Sequence, residues 1–244
     1  MSSTSQQTIS EMVRKDYRIA DVFKKWAINY CCGGSGTLDE VCAQRGLDKA
    51  AILIEIEQAT QNVQLSNALP FDEWPFDFLI DYIFYVHHAY VKLAGPGLQQ
   101  VLLQYVDGHK KKYPHLVAVE MAYNELLLTL QRQMEKEEEI IFPYLKELSS
   151  SYKQKKVYGS LLLVTLQKPA NDATGSEYKE LGMKLTALRE AANNYQFGTD
   201  ACTNHQVIYH KLKEFDADLV QHKHLENNIL FPRALQMEKD LVPV

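Results

Sequence analysis

Long stretches of the chain repeat apolar side chains every three or four residues, with breaks at only a few points. Four of them, 76–93, 115–148, 176–195 and 201–236, have the length and period of helices. Residues 97–112 predict a further helix that extends or connects the first two. Leu, Glu, Lys, Gln and Ala fill these stretches, and 11 Gly with 8 Pro leave them largely uninterrupted, so almost no sheet is expected. Long antiparallel helices joined by turns predict an all-α fold, an up-down four-helix bundle. The N-terminal part reads differently. Residues 13–28 predict an amphipathic helix, a YCCGGSG turn follows, and in TLDEVCAQRG the residues Thr37 and Glu40 have capping-box spacing. Gly46 ends that short helix, and Asp48 caps another. The two prolines and the acids of NALPFDEWPFD mark a boundary near residue 70, giving a small helical domain over 1–69 and a bundle over 70–244.

Polar residues interrupt two of the apolar seams at matching places. Stepping through the second long segment gives Val119, Tyr123, Leu126, Leu130, Gln133, Glu137, Ile140 and Tyr144. The fourth gives Ile208, Leu212, Phe215, Leu219, His222, Glu226, Ile229 and Arg233. The interruptions lie in two related phrases, QMEKEEEIIFP and HKHLENNILFP, which share a glutamate, an isoleucine and the Phe-Pro ending but begin with Gln133 in one copy and His222 in the other. The first segment offers Phe84, His88 and Val91, and the third Tyr178, Leu181, Leu185 and Leu188, so all four helices place a polar or phenolic group at one level. A carboxylate directed into hydrocarbon needs a cation, a proton or hydrogen bonds to offset its lost hydration. Imidazole and carboxylate on facing helices suit iron, with zinc or manganese as alternatives, and a buried hydrogen-bonded cluster is the competing reading.

Charge and cysteine content narrow the partners. A net charge of −5 and a sequence pI near 5.9 give no attraction for nucleic acid or anionic membrane. No segment reaches the roughly 18 uncharged apolar residues of a membrane span and the N-terminus has no apolar leader, so a cytoplasmic protein is expected. Four cysteines, two of them adjacent at Cys31 and Cys32, do not form a spaced disulfide framework, and reduced thiols are expected. The Cys31-Cys32 pair points to thiol chemistry, whereas Cys42 and Cys202 fall within helical patterns as small core residues. His205 lies too many turns before His222 to share its site.

Together, YCCGGSGTLDEVC and DACTNHQVIYHKLKEFDADLVQHKHLENNILFPRA resemble the bacterial iron-sulfur cluster repair di-iron proteins, also called regulators of cell morphogenesis and nitric-oxide signalling, across nearly the whole chain. The resemblance implies a hemerythrin-like bundle after the Cys-Cys domain, four histidines and two bridging glutamates around two irons, and a stress-response role in restoring iron-sulfur clusters damaged by nitric oxide or oxidants. Carried over residue by residue, His88, Glu137, His222 and Glu226 match ligand positions, with His87 beside the first. Gln133 and Tyr178 stand where two histidines belong. The family arrangement assigns the first two helices to one iron and the last two to the other, so each iron would lose one imidazole. Three outcomes follow: a modified di-iron site using Gln133 and a Tyr178 phenolate, a single ion on the four matching residues, or no metal. A metal-poor relative acting as a sensor or protein-binding module is the alternative function, and no turnover of a small substrate is implied. Damaged iron-sulfur proteins or a diatomic ligand such as nitric oxide are the implied partners, and an apolar N-terminal unit is compatible with a homodimer.

Overall fold

The computed structural model describes residues 7–31, 34, 36–61, 69–154 and 176–241, with only the backbone of 176–178. The elements among these residues are all helices, with no strand, and a lone bridge pairs Thr8 with Thr37. They divide into two compact units, Met1–Asn67 with Tyr195–Leu212, and Ala68–Asn194 with Lys213–Val244.

In the first unit, α1 (Ile9–Lys15) and α3 (Leu38–Arg45) each start in a capping box, Thr8 with Glu11 and Thr37 with Glu40, which satisfies N–H groups that a helix start leaves unbonded. Gly46 closes α3 at φ 62°, and Asp48 accepts from Ala50 and Ala51 to open α4 (Lys49–Thr60). The single helix expected over 13–28 is two. Asp16 is extended and bound to the Arg18 guanidinium after α1, α2 (Ile19–Lys25) follows, and Ala27 leaves the helix at φ 54°. Ile9, Phe23, Ile52 and Val207 lie in the core of this unit. Residues 195–212, expected wholly within the bundle, group here: Val207 is in this core, Ser10 and Thr203 share a hydroxyl hydrogen bond of 2.7 Å, and Lys211 pairs with Asp21 at 2.6 Å. A local pattern shows that 201–236 is helical but not which core its first turns join.

The second unit is a bundle of four rods. The first joins α5 (Phe76–Tyr82), a π-helical stretch Ile83–His88 and α6 (Ala89–His109), which runs through Pro96, so the helix expected over 97–112 continues the first rod. The second joins α7 (Leu116–Lys136), a π stretch Glu137–Ile141 and α8 (Phe142–Gln154). The third is α9 (Ser176–Ala191), tied to the fourth where Arg189 Nε donates to Asp216 Oδ2 at 2.6 Å. The fourth joins α10 (Thr203–Leu225), a π stretch Glu226–Leu230 and α11 (Phe231–Leu241), and the first turns of α10 belong to the other unit. Three rods thus widen into a π turn at one level, and such turns are rare and recur at functional sites.

The π turns correct the expected stripe. Each fits one more residue into a turn, so the inward phase slips by one beyond it. Ile140 is 52% exposed whereas Ile141 is buried, and on the fourth rod Leu230 and Ala234 are fully buried in place of Ile229 and Arg233. Phe76, Leu79, Ile83, Leu145, Leu230 and Phe231 form the apolar core on the far side of the π turns.

Candidate metal centre

The π turns deliver four side chains to one point. His88 ends the first, and Glu137 and Glu226 open the other two. His222 lies one turn before Glu226. All four are buried, with no exposure of His88, Glu137, His222 or Glu226, and one donor atom from each lies within 4.8 Å of the others.

The cluster has two sides. On one, His88 Nε2 lies 3.2 Å from His222 Nε2, 3.3 Å from Glu137 Oε2 and 3.9 Å from Glu226 Oε1, and His222 Nε2 lies 2.8 Å from Glu226 Oε1. On the other, Gln133 Nε2 donates to Glu137 Oε1 at 2.9 Å, and Lys223 Nζ is 3.5 Å from the same oxygen and pairs closely with Glu226 Oε2. Each glutamate therefore turns one oxygen to the imidazoles and the other to Lys223. Burial lowers the His88 pKa, but hydrogen bonds and charge from Glu137 and Glu226 outweigh it and raise that pKa to about 9. Burial dominates at His222 and lowers its pKa, favouring the neutral ring that can ligate a metal. Burial raises the pKa of Glu226, but His222 and then Lys223 hold it well below the usual carboxylate range.

Around the cluster, His88 Nδ1 lies 2.8 Å from Glu138 Oε1, and Lys92 Nζ donates to Glu138 Oε2 at 2.6 Å. Burial raises the Glu138 pKa, but Lys92 and His88 hold it below its ordinary value. A carboxylate on the far nitrogen of a ligating imidazole fixes its tautomer and orientation. Of the two adjacent histidines, His88 is the one in the cluster. His87 turns its Nδ1 to Asp218 Oδ1 at 2.9 Å and stacks on the His222 ring at 5.5 Å between centroids.

The donor set fits one transition-metal ion. Ligands about 2.0–2.2 Å from a common ion lie roughly 3–3.5 Å from one another, close to the spacings on the imidazole side. The expected division of His88 and His222 between two ions differs from this geometry, which brings both Nε2 atoms to one place. Gln133 is in the cluster, but as a hydrogen-bond donor to Glu137, and its own Oε1 has no hydrogen-bond partner among the described residues. The Tyr178 side chain lies outside the described residues, as does Cys32. Cys31 is half-buried and its backbone N–H donates to Asn29 Oδ1, Cys42 is buried, and Cys202 is half-buried. His205 packs against Tyr209 in the first unit.

Sequence reasoning missed Lys223, Glu138 and Lys92. A signal for Lys223 was available, since a lysine three residues before a buried glutamate shares its helix face. An α-helical phase would turn Glu138 outward, and the π turn that contains it leaves no mark in the local pattern.

Comparison with known proteins adds the lineage. A family model described as a domain of unknown function (DUF542), ScdA_N, matches residues 5–60. The iron-sulfur cluster repair protein YtfE of Citrobacter koseri is 30% identical over 244 residues, 97% of this chain and 100% of that protein. The YtfE of Enterobacter sp. strain 638 is 30% identical over 95% of this chain and 98% of its own. The iron-sulfur cluster repair protein ScdA of Staphylococcus haemolyticus is 25% identical over 93% and 97%. With an all-α bundle, a buried His/Glu cluster and likeness along nearly its full length, the chain belongs to the family of the iron-sulfur cluster repair proteins.

Proposed function

We propose that the chain is a non-haem iron protein of the stress response that helps repair iron-sulfur clusters damaged by nitric oxide or oxidants. The observation that carries the metal reading is the convergence of two buried imidazoles and two buried carboxylates within 4.8 Å, an arrangement whose charge and donor atoms suit a transition metal. His88, His222, Glu137 and Glu226 would hold the ion, which when bound supplies redox chemistry and a place for a diatomic ligand such as nitric oxide. The protein's own groups do the rest. Glu138 orients His88, the π turns aim the two glutamates, and the surrounding hydrocarbon excludes water. Two openings flank the third rod beside the centre, a groove of about 380 Å³ with Leu181, Leu185, Leu219 and Lys223 in its lining, and one of about 210 Å³ that reaches Gln133. Cys31, with Cys32 next in the chain, would offer thiols to the damaged protein.

A second reading, a metal-poor relative serving as a sensor or binding module, is favoured by one observation: Gln133 and Lys223 give the buried glutamates a hydrogen-bond donor and a cation from the protein itself. Elemental analysis of protein purified without oxygen from iron-replete cells separates the two. Stoichiometric iron supports the repair protein, and a folded protein with iron well below one per chain supports the metal-poor reading. Reactivation of a nitric-oxide-treated iron-sulfur enzyme by the iron-loaded chain, lost in His222→Ala, tests the repair role itself.

A further inference from the structure

We propose that the centre is built for one metal ion, with the Lys223 ammonium standing permanently where a second cation would sit. The inference rests on the reading of the cluster as a metal centre and adds to it the number of ions and the residue that sets it.

The argument starts from how the oxygens are shared. Glu137 Oε2 and Glu226 Oε1 face the imidazoles, and Glu137 Oε1 and Glu226 Oε2 face Lys223. Two carboxylates that each turn one oxygen to either side are arranged as bridges between two positive centres. The imidazole side has the donors for an ion. The other side, among the described residues, has none of comparable strength. Gln133 presents an amide N–H to Glu137, and an ammonium has three donors and no lone pair. Lys223 therefore meets the bridging oxygens as a cation and occupies the space an ion would need.

Its position is fixed by the fold. Lys223 lies three residues before Glu226 on the fourth rod, so both side chains share a face, and its side chain is only 15% exposed. The stem runs along the groove between the third and fourth rods, past Leu219 and Val220, and keeps its hydrocarbon on hydrocarbon while the ammonium reaches inward. The aligned residue in the second rod is Met134, fully buried and without charge, so a single lysine serves both carboxylates. Lys223 also places a cation beside two buried carboxyl groups in the metal-free protein, where lost hydration needs an opposite charge or hydrogen bonds to offset it.

The test uses the full-length chain, stripped of metal and titrated with ferrous iron without oxygen, with iron per chain read by elemental analysis and native mass spectrometry. Wild type should take up one equivalent. Gln133→His with Tyr178→His should still take up one while Lys223 remains, and adding Lys223→Met to that pair should raise uptake to two, circular dichroism confirming that each variant is folded. Two equivalents in wild type, or in the double variant that keeps Lys223, would overturn the inference, as would a folded triple variant that stays at one. No uptake by folded wild type would overturn the metal centre itself, which separates failure of the underlying reading from failure of this one. A measurement without metal completes the test. Lys223→Met should lower the melting temperature of the metal-free protein by about 5 °C or more and Lys223→Arg should restore most of it; an unchanged melting temperature in Lys223→Met overturns the role of the ammonium.

Discussion

The second and fourth rods carry the same backbone device with different chemistry. Each has a fully buried glutamate that opens a five-residue π turn, followed by a buried phenylalanine and an exposed proline. The neighbours of those glutamates differ. Four residues before, the fourth rod has His222 and the second Gln133; three before, it has Lys223 against Met134; one after, Asn227 against Glu138. The fourth rod thus supplies an imidazole, a carboxylate and the cation that balances it. The second supplies a carboxylate, an amide that holds it, and an outer carboxylate that reaches His88 on the first rod. A duplicated phrase can keep its geometry and its glutamate while one copy adds an imidazole and a cation and the other adds groups that position.

The largest expected effect breaks the fourth copy. Glu226→Ala removes the partner of His222 and Lys223 together, leaving a buried ammonium beside one remaining carboxylate. Removing one member of a buried charge cluster costs about 3–5 kcal/mol, so iron uptake should vanish and urea unfolding of the metal-free protein should show a loss of that order. Glu137→Ala should also abolish stoichiometric iron but cost less stability, since its contacts to His88 and Lys223 are longer, at 3.3 and 3.5 Å. An equal or larger loss in Glu137→Ala would mean that the two copies share the load.

How much of this was legible follows from the same two rods. The periodicity gave the bundle, and the inward phase of Gln133, Glu137, His222 and Glu226 was readable because all four precede or open the π turns, where the step is still α-helical. Within those turns the reading failed by one residue, at Ile140 against Ile141 and at Ile229 against Leu230, because a π turn changes the phase through backbone hydrogen bonds that no residue pattern announces. In the first unit the capping box at Thr37 was legible, being a local bond between nearby residues. The grouping of Val207 with that unit was not, since it depends on residues nearly 200 positions apart in sequence.

The next effect sharpens the division into binding and positioning. Glu138→Gln keeps the size of the side chain but replaces the carboxylate on His88 Nδ1. Outer partners of ligating histidines contribute about 10–100-fold in metal affinity, and a loss in that range is expected by competition with a chelator. The aligned Asn227→Ala, on an exposed residue, should change affinity less than twofold. If the two variants behave alike, the outer carboxylate has no special part. A smaller change comes from Gln133→Leu, which removes the 2.9 Å hydrogen bond to Glu137 and costs the metal-free protein about 1.5 kcal/mol, the scale of a hydrogen bond to a charged group.

The smallest effect tests whether Glu138 acts as an acceptor or as half of an ion pair. Lys92 donates to its other oxygen at 2.6 Å, but the lysine side chain is 55% exposed and also lies 5.6 Å over the Phe84 ring, so water and mobility weaken its hold. Lys92→Ala should lower metal affinity by no more than about two- to threefold, consistent with an exposed pair worth at most about 1 kcal/mol. That difference should fade in 1 M salt, where the screening length falls to about 3 Å. Glu138→Gln should keep its full loss at the same salt, because the hydrogen bond to His88 is mostly enclosed by protein. A Lys92→Ala loss as large as that of Glu138→Gln, and equally resistant to salt, would place the positioning force in the lysine, and the second copy of the phrase would then depend on the first rod for its function.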